Sequence, residues 1–506
     1  MTALKVSAGE VTMPKWTRLL IGPVLALLLV LVAFAIPWRS PKSTPAATAR
    51  PPAATPTVTP PPVVGADGIG DPYFPLAGNG GYDVTAYDIG VRYDPPTDRL
   101  EGHTTVTATA TESLSRFDLD LRLPASAVTV DDRPAAIHQN GGELQVTPAV
   151  PVLAGTPMTV RVDYAGTPSS VSGAAGMPSP WVRTTDGALA VGEPDIAPWW
   201  YPSNDHPSDK ATFTITAVVP AGLQVISNGA LLGGPEPAGP GVAQWRWQET
   251  EPMATYLAFL AIGNYDIVRQ DTRFGLYLAA YDRGLDAQVA DAARASVEQT
   301  PQIIEFLSGI FGPYPFRQLG GVVPDAPSLG FALEDQTRPV YSPTFFDTGR
   351  NVTVVVHELA HQWFGDSVSV RHWSDIWLNE GFATYAEWLY KERHGGPSAQ
   401  QIAAQEYTSH PADDDFWRTP PGAPGAASVF SGSVYARGGM ALEALRSAIG
   451  DQNFFATLRA WATERAGGNG SVQDFLALVK HVSGKNVDAV AQAWLFTPGR
   501  PAALPG

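Results

Sequence analysis

The sequence predicts a multidomain α+β protein, with a β-sheet domain first and a mainly helical domain after it. Three observations carry that expectation. Residues 71–265 show period-two alternation of apolar and polar side chains, the stretches beyond 266 switch to helical periodicity, and 506 residues allow two to four domains with generous cores. The net charge of −16, with no basic stripe or stacking motif, excludes a nucleic-acid surface. The absence of cysteine excludes thiolate ligands, cysteine nucleophiles and disulfides. Nothing in the sequence fixes an oligomeric state.

Each part follows in order. Residues 1–18 form a tail carrying Lys15 and Arg18, and residues 19–38 are uncharged and apolar over a length that can span a bilayer. Two readings of that run stay open. As a transmembrane anchor it keeps the tail cytoplasmic and the remainder outside the cytoplasm; as a signal segment, with the A-x-A form at Ala33-Phe34-Ala35, it is cut and the remainder is secreted. Residues 39–70, rich in Pro, Thr and Ala, predict an extended, disordered linker. Within 71–265, Tyr87, Ile89, Val91 and Tyr93 alternate before a turn at Asp94-Pro95-Pro96, and "ATFTITAVVPAGLQVISNGAL" repeats the habit. From about 266 to 506, "DAARASVEQTPQIIEFLSGIF", "GGMALEALRSAIG" and "NFFATLRAWATERAG" read as helices.

One helix carries chemistry. In "VVVHELAHQWFG", residues 354–365, His357 and His361 are four apart and aim their imidazoles at one point, with Glu358 turned about 100° round the helix. Neutral imidazoles suit a zinc ion, and a glutamate beside it can take a proton from water. Cobalt or manganese suit similar ligands. A third ligand is needed. Downstream, "DIWLNEGFATYAEWLY" predicts an amphipathic helix with Ile376, Leu378, Phe382, Tyr385 and Leu389 on its apolar side and, nineteen residues on from His361, Glu380 among them. His357, His361 and Glu380 make a His2Glu set for one zinc ion with a fourth position open, which is the catalytic rather than the structural pattern. Glu387, seven residues after Glu380, or Asp375 is placed to accept a hydrogen bond from a zinc-bound histidine.

The string "HELAHQWFGDSVSVRHWSDIWLNEGFATYAEW" resembles the gluzincin aminopeptidases of the aminopeptidase N type, including the family's W-L-N-E-G-F-A ending. Three further stretches are similar to family motifs. Phe331-Ala332-Leu333-Glu334-Asp335 stands where the family has G-A-M-E-N, "SVYARGGMALEALR" matches the segment with the transition-state tyrosine, here Tyr435, and "VGEPDIAPWWYPSNDHPSDKATF" matches a stretch of the preceding domain. The resemblance implies a saddle-like amino-terminal sheet domain and a thermolysin-like catalytic domain. It also implies an exopeptidase acting on peptides with a free amino terminus, with Glu358 as base, Tyr435 at the oxyanion, and Glu193 and Glu334 on the substrate ammonium. Phe331, Asp335 and Val191 depart from the family pattern near the first-residue pocket and leave the ligand set intact. The family's large carboxy-terminal helical domain has no room in this length, so a more open cleft is expected. The alternatives that stay open are a thermolysin-like endopeptidase, which has no use for an amine trap, and a non-catalytic, membrane-tethered peptide-binding protein on the same fold.

Overall fold

The computed structural model describes residues 61–173 and 179–502. The tail 1–18, the apolar run 19–38 and the first part of the linker, 39–60, lie outside the described residues. Among the described residues no helix is long and apolar enough to cross a membrane. The end of the expected linker is already structured: Val63–Val64 adds a parallel edge strand to Leu114–Asp120, with Val63 N donating to Ser113 O at 2.7 Å. Two β-branched residues suit an edge strand, and proline richness upstream does not oppose it.

The β part is built on an eight-stranded sheet. Tyr82–Asp94 pairs antiparallel with Arg99–Ala110 and parallel with Ala211–Pro220, and Val242–Met253 extends the sheet beyond that. Tyr87, Ile89, Val91 and Tyr93 are all buried, so the alternation read from the sequence is the alternation of core and solvent faces. The turn after Asp94 is pinned by Asp98, whose carboxylate accepts from Tyr93 Oη at 2.8 Å and Trp181 Nε1 at 3.1 Å. A second, four-stranded sheet matters more for function. Its strands Ala188–Ala190 and Leu260–Gly263 are antiparallel with Ala190 opposite Leu260. Glu193, just after the first, and Tyr256, just before the second, therefore leave the sheet at the same end.

The helical character begins at Ala287, not near 266, because Tyr265–Thr272 and Gly275–Asp282 form a hairpin first. The hairpin starts a five-stranded sheet that continues through Gln318–Val323 to the short pair Val340–Tyr341 and Ala332–Leu333. Glu334 follows that last edge strand directly. The helix Val352–His361 begins at Asn351, whose Oδ1 accepts from Val354 N at 3.3 Å, and carries the HELAH segment. The helix Trp377–Arg393 is more buried than an amphipathic pattern implies: every residue from Trp377 to Ala386 is buried. It is a central helix, packed on the HELAH helix on one side and on Gly438–Ile449 on another. That second packing requires glycine, since a Cβ on Gly381 would sit 3.1 Å from Gly438 Cα.

Candidate metal centre and active site

Two packed helices deliver the first cluster. His357 Nε2 lies 3.2 Å and His361 Nε2 3.5 Å from the same oxygen, Glu380 Oε2. The other ring nitrogens are also held: His357 Nδ1 is 2.8 Å from Glu387 Oε1, and His361 Nδ1 is 3.1 Å from the carbonyl of Phe364. A carbonyl only accepts, so His361 Nδ1 carries hydrogen and its Nε2 is the nitrogen turned to the cluster. Glu387 is thus the acceptor for His357. Asp375 is elsewhere, taking the N–H of Val472 at 3.0 Å at the start of the helix Val472–Ser483.

The electrostatics of the cluster fit a cation. Burial alone would lower the pKa of His361, but Glu334 and Glu380 outweigh it and hold the imidazole at about 9. Burial raises Glu380, yet His361 and His357 pull its carboxylate down to about 2. Carboxylates and imidazoles here share one patch of charge that a divalent ion complements. The donor set, two imidazoles and a carboxylate with both second nitrogens anchored, fits zinc.

Glu358 is 5% exposed; burial pushes its carboxyl up to about 8, although His357 and His361 oppose the rise. Its carboxylate, that of Glu334 and a nitrogen of His361 lie within 4.8 Å of one another. Glu334 is fixed by Tyr256, whose hydroxyl donates to Oε1 at 2.9 Å, and by Gln362, whose Nε2 donates to its backbone carbonyl at 2.9 Å. Glu193 brings a carboxylate with Oε1 buried and unpaired, and burial followed by the charges of Glu334, Glu380 and Glu358 pushes its pKa well up. Tyr435 stacks on His357, with ring centroids 5.9 Å apart and planes 19° apart. The seven residues given metal, catalytic or substrate-binding roles from the sequence, His357, His361, Glu380, Glu358, Tyr435, Glu334 and Glu193, therefore come together at one place.

Tyr435 is held from behind. It lies in a π-helical segment, Ser433–Arg437, and the buried guanidinium of Arg437 donates to four carbonyls, those of Trp494, Trp417, Ala493 and Thr497. The Gly381–Gly438 approach sets the same segment beside Glu380.

Sequence reasoning missed Tyr256, Gln362, Lys210 and Asp366. Lys210 is half-buried and its Nζ donates to the carbonyls of Asp366, at 2.6 Å, and Ser367, at 2.9 Å, tying the β part to the loop after HELAH. Burial lowers its pKa to about 7. Asp366 and Asp335 are fully buried with no partner on either carboxylate oxygen, and burial pushes both well up. For Lys210 the signal was in view, since Lys210-Ala211-Thr212-Phe213 ends the family-like stretch "VGEPDIAPWWYPSNDHPSDKATF"; for the others the sequence carries none.

The Peptidase M1 N-terminal domain matches residues 84–257 and the Peptidase family M1 domain matches 296–494. A crystal structure of an M1 zinc metallopeptidase from Deinococcus radiodurans is 31% identical, with a TM-score of 0.77, covering 87% of this chain and 99% of that one. This chain belongs to peptidase family M1. A mutant of the Deinococcus M1 enzyme bound to a Tyr-Ser-Ala substrate gives a TM-score of 0.76 at 30% identity over 87% of this chain and 100% of that one. Aminopeptidase N of Streptomyces lividans is 30% identical over 320 residues, 59% of this chain. The chain spans 36% of that curated relative's length. The predicted family and fold class hold: a β-sheet domain leads into a helical M1 metallopeptidase domain, and the cofactor is zinc.

Proposed function

We propose that the chain removes residues one at a time from the free amino end of peptides, with zinc held by His357, His361 and Glu380. The observation that carries this reading is the second carboxylate group beside the metal cluster. Glu334 lies within 4.8 Å of Glu358 and His361 and is oriented by Tyr256, and Glu193 faces it with an unpaired oxygen. Two carboxylates with no cation of their own are a trap for a substrate ammonium, which an endopeptidase does not need. The names of M1 relatives such as aminopeptidase N of Streptomyces lividans support the same reading.

When bound, zinc acidifies a water molecule and polarises the scissile carbonyl. Glu358, beside both zinc-binding histidines and close to Glu334, would accept the proton from that water and return it to the leaving amine. Tyr435 donates its phenolic hydrogen bond where negative charge develops, and Arg437 and the Gly381–Gly438 contact keep it in place. Glu193 and Glu334 hold the ammonium and so set the cut after the first residue. Glu387 and the Phe364 carbonyl keep the two imidazoles turned to the metal.

The test is hydrolysis of aminoacyl fluorogenic amides and their amino-acetylated twins by the compact unit that begins at Pro60, with and without a chelator. Cleavage of the free amines alone, lost to chelator and restored by zinc, is the expected outcome. Cleavage of the acetylated twins overturns the exopeptidase reading in favour of an endopeptidase, and no cleavage by zinc-loaded protein favours a binding protein.

We also propose that residues 19–38 anchor the chain in a membrane with the catalytic part outside the cytoplasm, supported by Lys15 and Arg18 before an uncharged apolar run. Amino-terminal sequencing of the membrane-fraction protein tests this. A mature amino terminus just after Ala35 converts the anchor into a cleaved signal and the protein into a secreted one.

A further inference from the structure

We propose that Asp71, His206 and His372 form a second metal site, separate from the catalytic one, that takes a divalent transition cation of the zinc class. The proposal goes beyond the peptidase reading and does not depend on it. The geometry repeats that of the catalytic cluster. There, one carboxylate oxygen, Glu380 Oε2, is approached by two imidazole nitrogens at 3.2 and 3.5 Å. Here, one carboxylate oxygen, Asp71 Oδ2, is approached by His206 Nε2 at 3.1 Å and His372 Nδ1 at 3.9 Å. In both clusters all three ligand atoms lie within 4.8 Å of one another.

The carboxylate is anchored as well. Asp71 Oδ1 takes the N–H groups of Tyr73 at 2.7 Å and Phe74 at 2.9 Å, which turns Oδ2 towards the imidazoles. His206 Nδ1 is 2.7 Å from Ser208 Oγ, an acceptor for the hydrogen that Nδ1 must carry when Nε2 binds a metal. In the metal-free site His206 Nδ1 accepts the Ser208 N–H at 3.2 Å, so metal binding requires the imidazole to change tautomer. His372 Nδ1 is shielded from solvent and has no hydrogen-bond partner, while the rest of its side chain is 37% exposed. The site is closed on the Asp71 and His206 side and open at His372, so an ion has a way in. Two imidazoles and one carboxylate select zinc, cobalt, nickel or copper over calcium and magnesium.

The three ligands come from segments far apart in sequence, so an ion here staples the segment before the first long strand and the loop at 203–209 to the link between the two zinc-cluster helices. That link also reaches the amine trap. Trp373 N donates to Asp71 Oδ2 at 2.8 Å, and the Trp373 ring packs edge-on against Tyr256, 5.5 Å between centroids, the residue that donates to Glu334.

The experiment is a cobalt and zinc titration of the chelator-stripped chain, read by bound metal after desalting and by the visible bands of cobalt. Wild type is expected to bind about two equivalents, His372→Ala about one, and Glu380→Gln about one, with different cobalt spectra for the two variants. His372 is partly exposed, so its loss leaves the fold intact, and a thermal melt of the metal-free variant checks this. The second equivalent is expected to raise the melting temperature of wild type and not of His372→Ala. A single equivalent in wild type, or two in His372→Ala, overturns the proposal. Because the readout is bound metal, it stands or falls apart from peptidase activity.

Discussion

The two halves of the active site are built in opposite ways. In the zinc half, His357, His361 and Glu380 sit on two helices that pack together, and each imidazole has a partner for its second nitrogen. In the amine half, Glu193 and Glu334 follow short strands of two different sheets, and around them stand each other, Glu358, the His361 imidazole and the Tyr256 hydroxyl. One half is preorganised around an ion; the other crowds carboxyls whose charged forms a substrate cation would stabilise. Chemistry and register should therefore be separable by mutation.

The largest expected effect breaks the chemistry alone. Glu358→Gln removes the proton acceptor without touching a ligand, and kcat should fall by about ten-thousand-fold. Zinc content should be unchanged, measured on the same sample. Retained turnover at full metal loading removes Glu358 from the base role.

The amine half should break differently. Glu334→Gln should lower kcat/KM for free-amine substrates by on the order of a hundredfold, the worth of a hydrogen bond to a charged group in a buried site. Acetylated substrates should be cleaved as poorly as before, so the preference for a free amine collapses. An equal loss on both substrate types would place Glu334 in the chemistry instead.

A smaller effect separates the two acids near the zinc cluster. Glu387→Gln should weaken zinc binding by about ten- to a hundredfold, because it leaves His357 Nδ1 with a poorer acceptor. Asp375→Asn should leave zinc affinity alone and cost about 1 kcal/mol in stability, since Asp375 receives the Val472 N–H at a helix start. Competition with a zinc chelator and urea unfolding read the two outcomes.

The zinc half was legible because its information is local: an i, i+4 pair and a nearby helix are fixed by spacing within 24 residues, 357 to 380. The same holds for the alternating strand from Tyr82 to Asp94, where one face is core. The amine half was legible only through family resemblance, because Glu193 and Glu334 meet through two sheets whose pairing no local pattern encodes. Tyr256 left no sequence trace at all: an apolar-looking "ATYLAFLAIG" gives no sign that one hydroxyl points at a carboxylate across 78 residues. The hairpin at Tyr265–Asp282 was read as the start of the helical domain because a domain can open on strands while its bulk is helical. Nor did the proline-rich linker announce that Val63–Val64 would join a sheet edge.

The smallest predicted effect tests the joint between the β part and the zinc-cluster helices. Burial pushes the Asp71 carboxyl up, but the His206 hydrogen bond and the N–H groups of Phe74, Trp373 and Tyr73 outweigh it and hold the pKa at about 2, below the ordinary 3.8. A carboxyl held below its unfolded value stabilises the fold above about pH 4, and that contribution disappears as pH falls through 2. With chelator present, wild type should therefore lose stability more steeply between pH 4 and pH 2 than Asp71→Asn, which has no charge to lose there. At pH 7 the variant should already be the less stable of the two. Urea unfolding at pH 7 and at two points on the acid limb gives both differences, and parallel acid limbs would mean that the interdomain carboxylate carries no linked charge. Such a joint explains how a residue 302 positions before Trp373 in the chain can matter to the amine half: it fixes the ring on which Tyr256 rests.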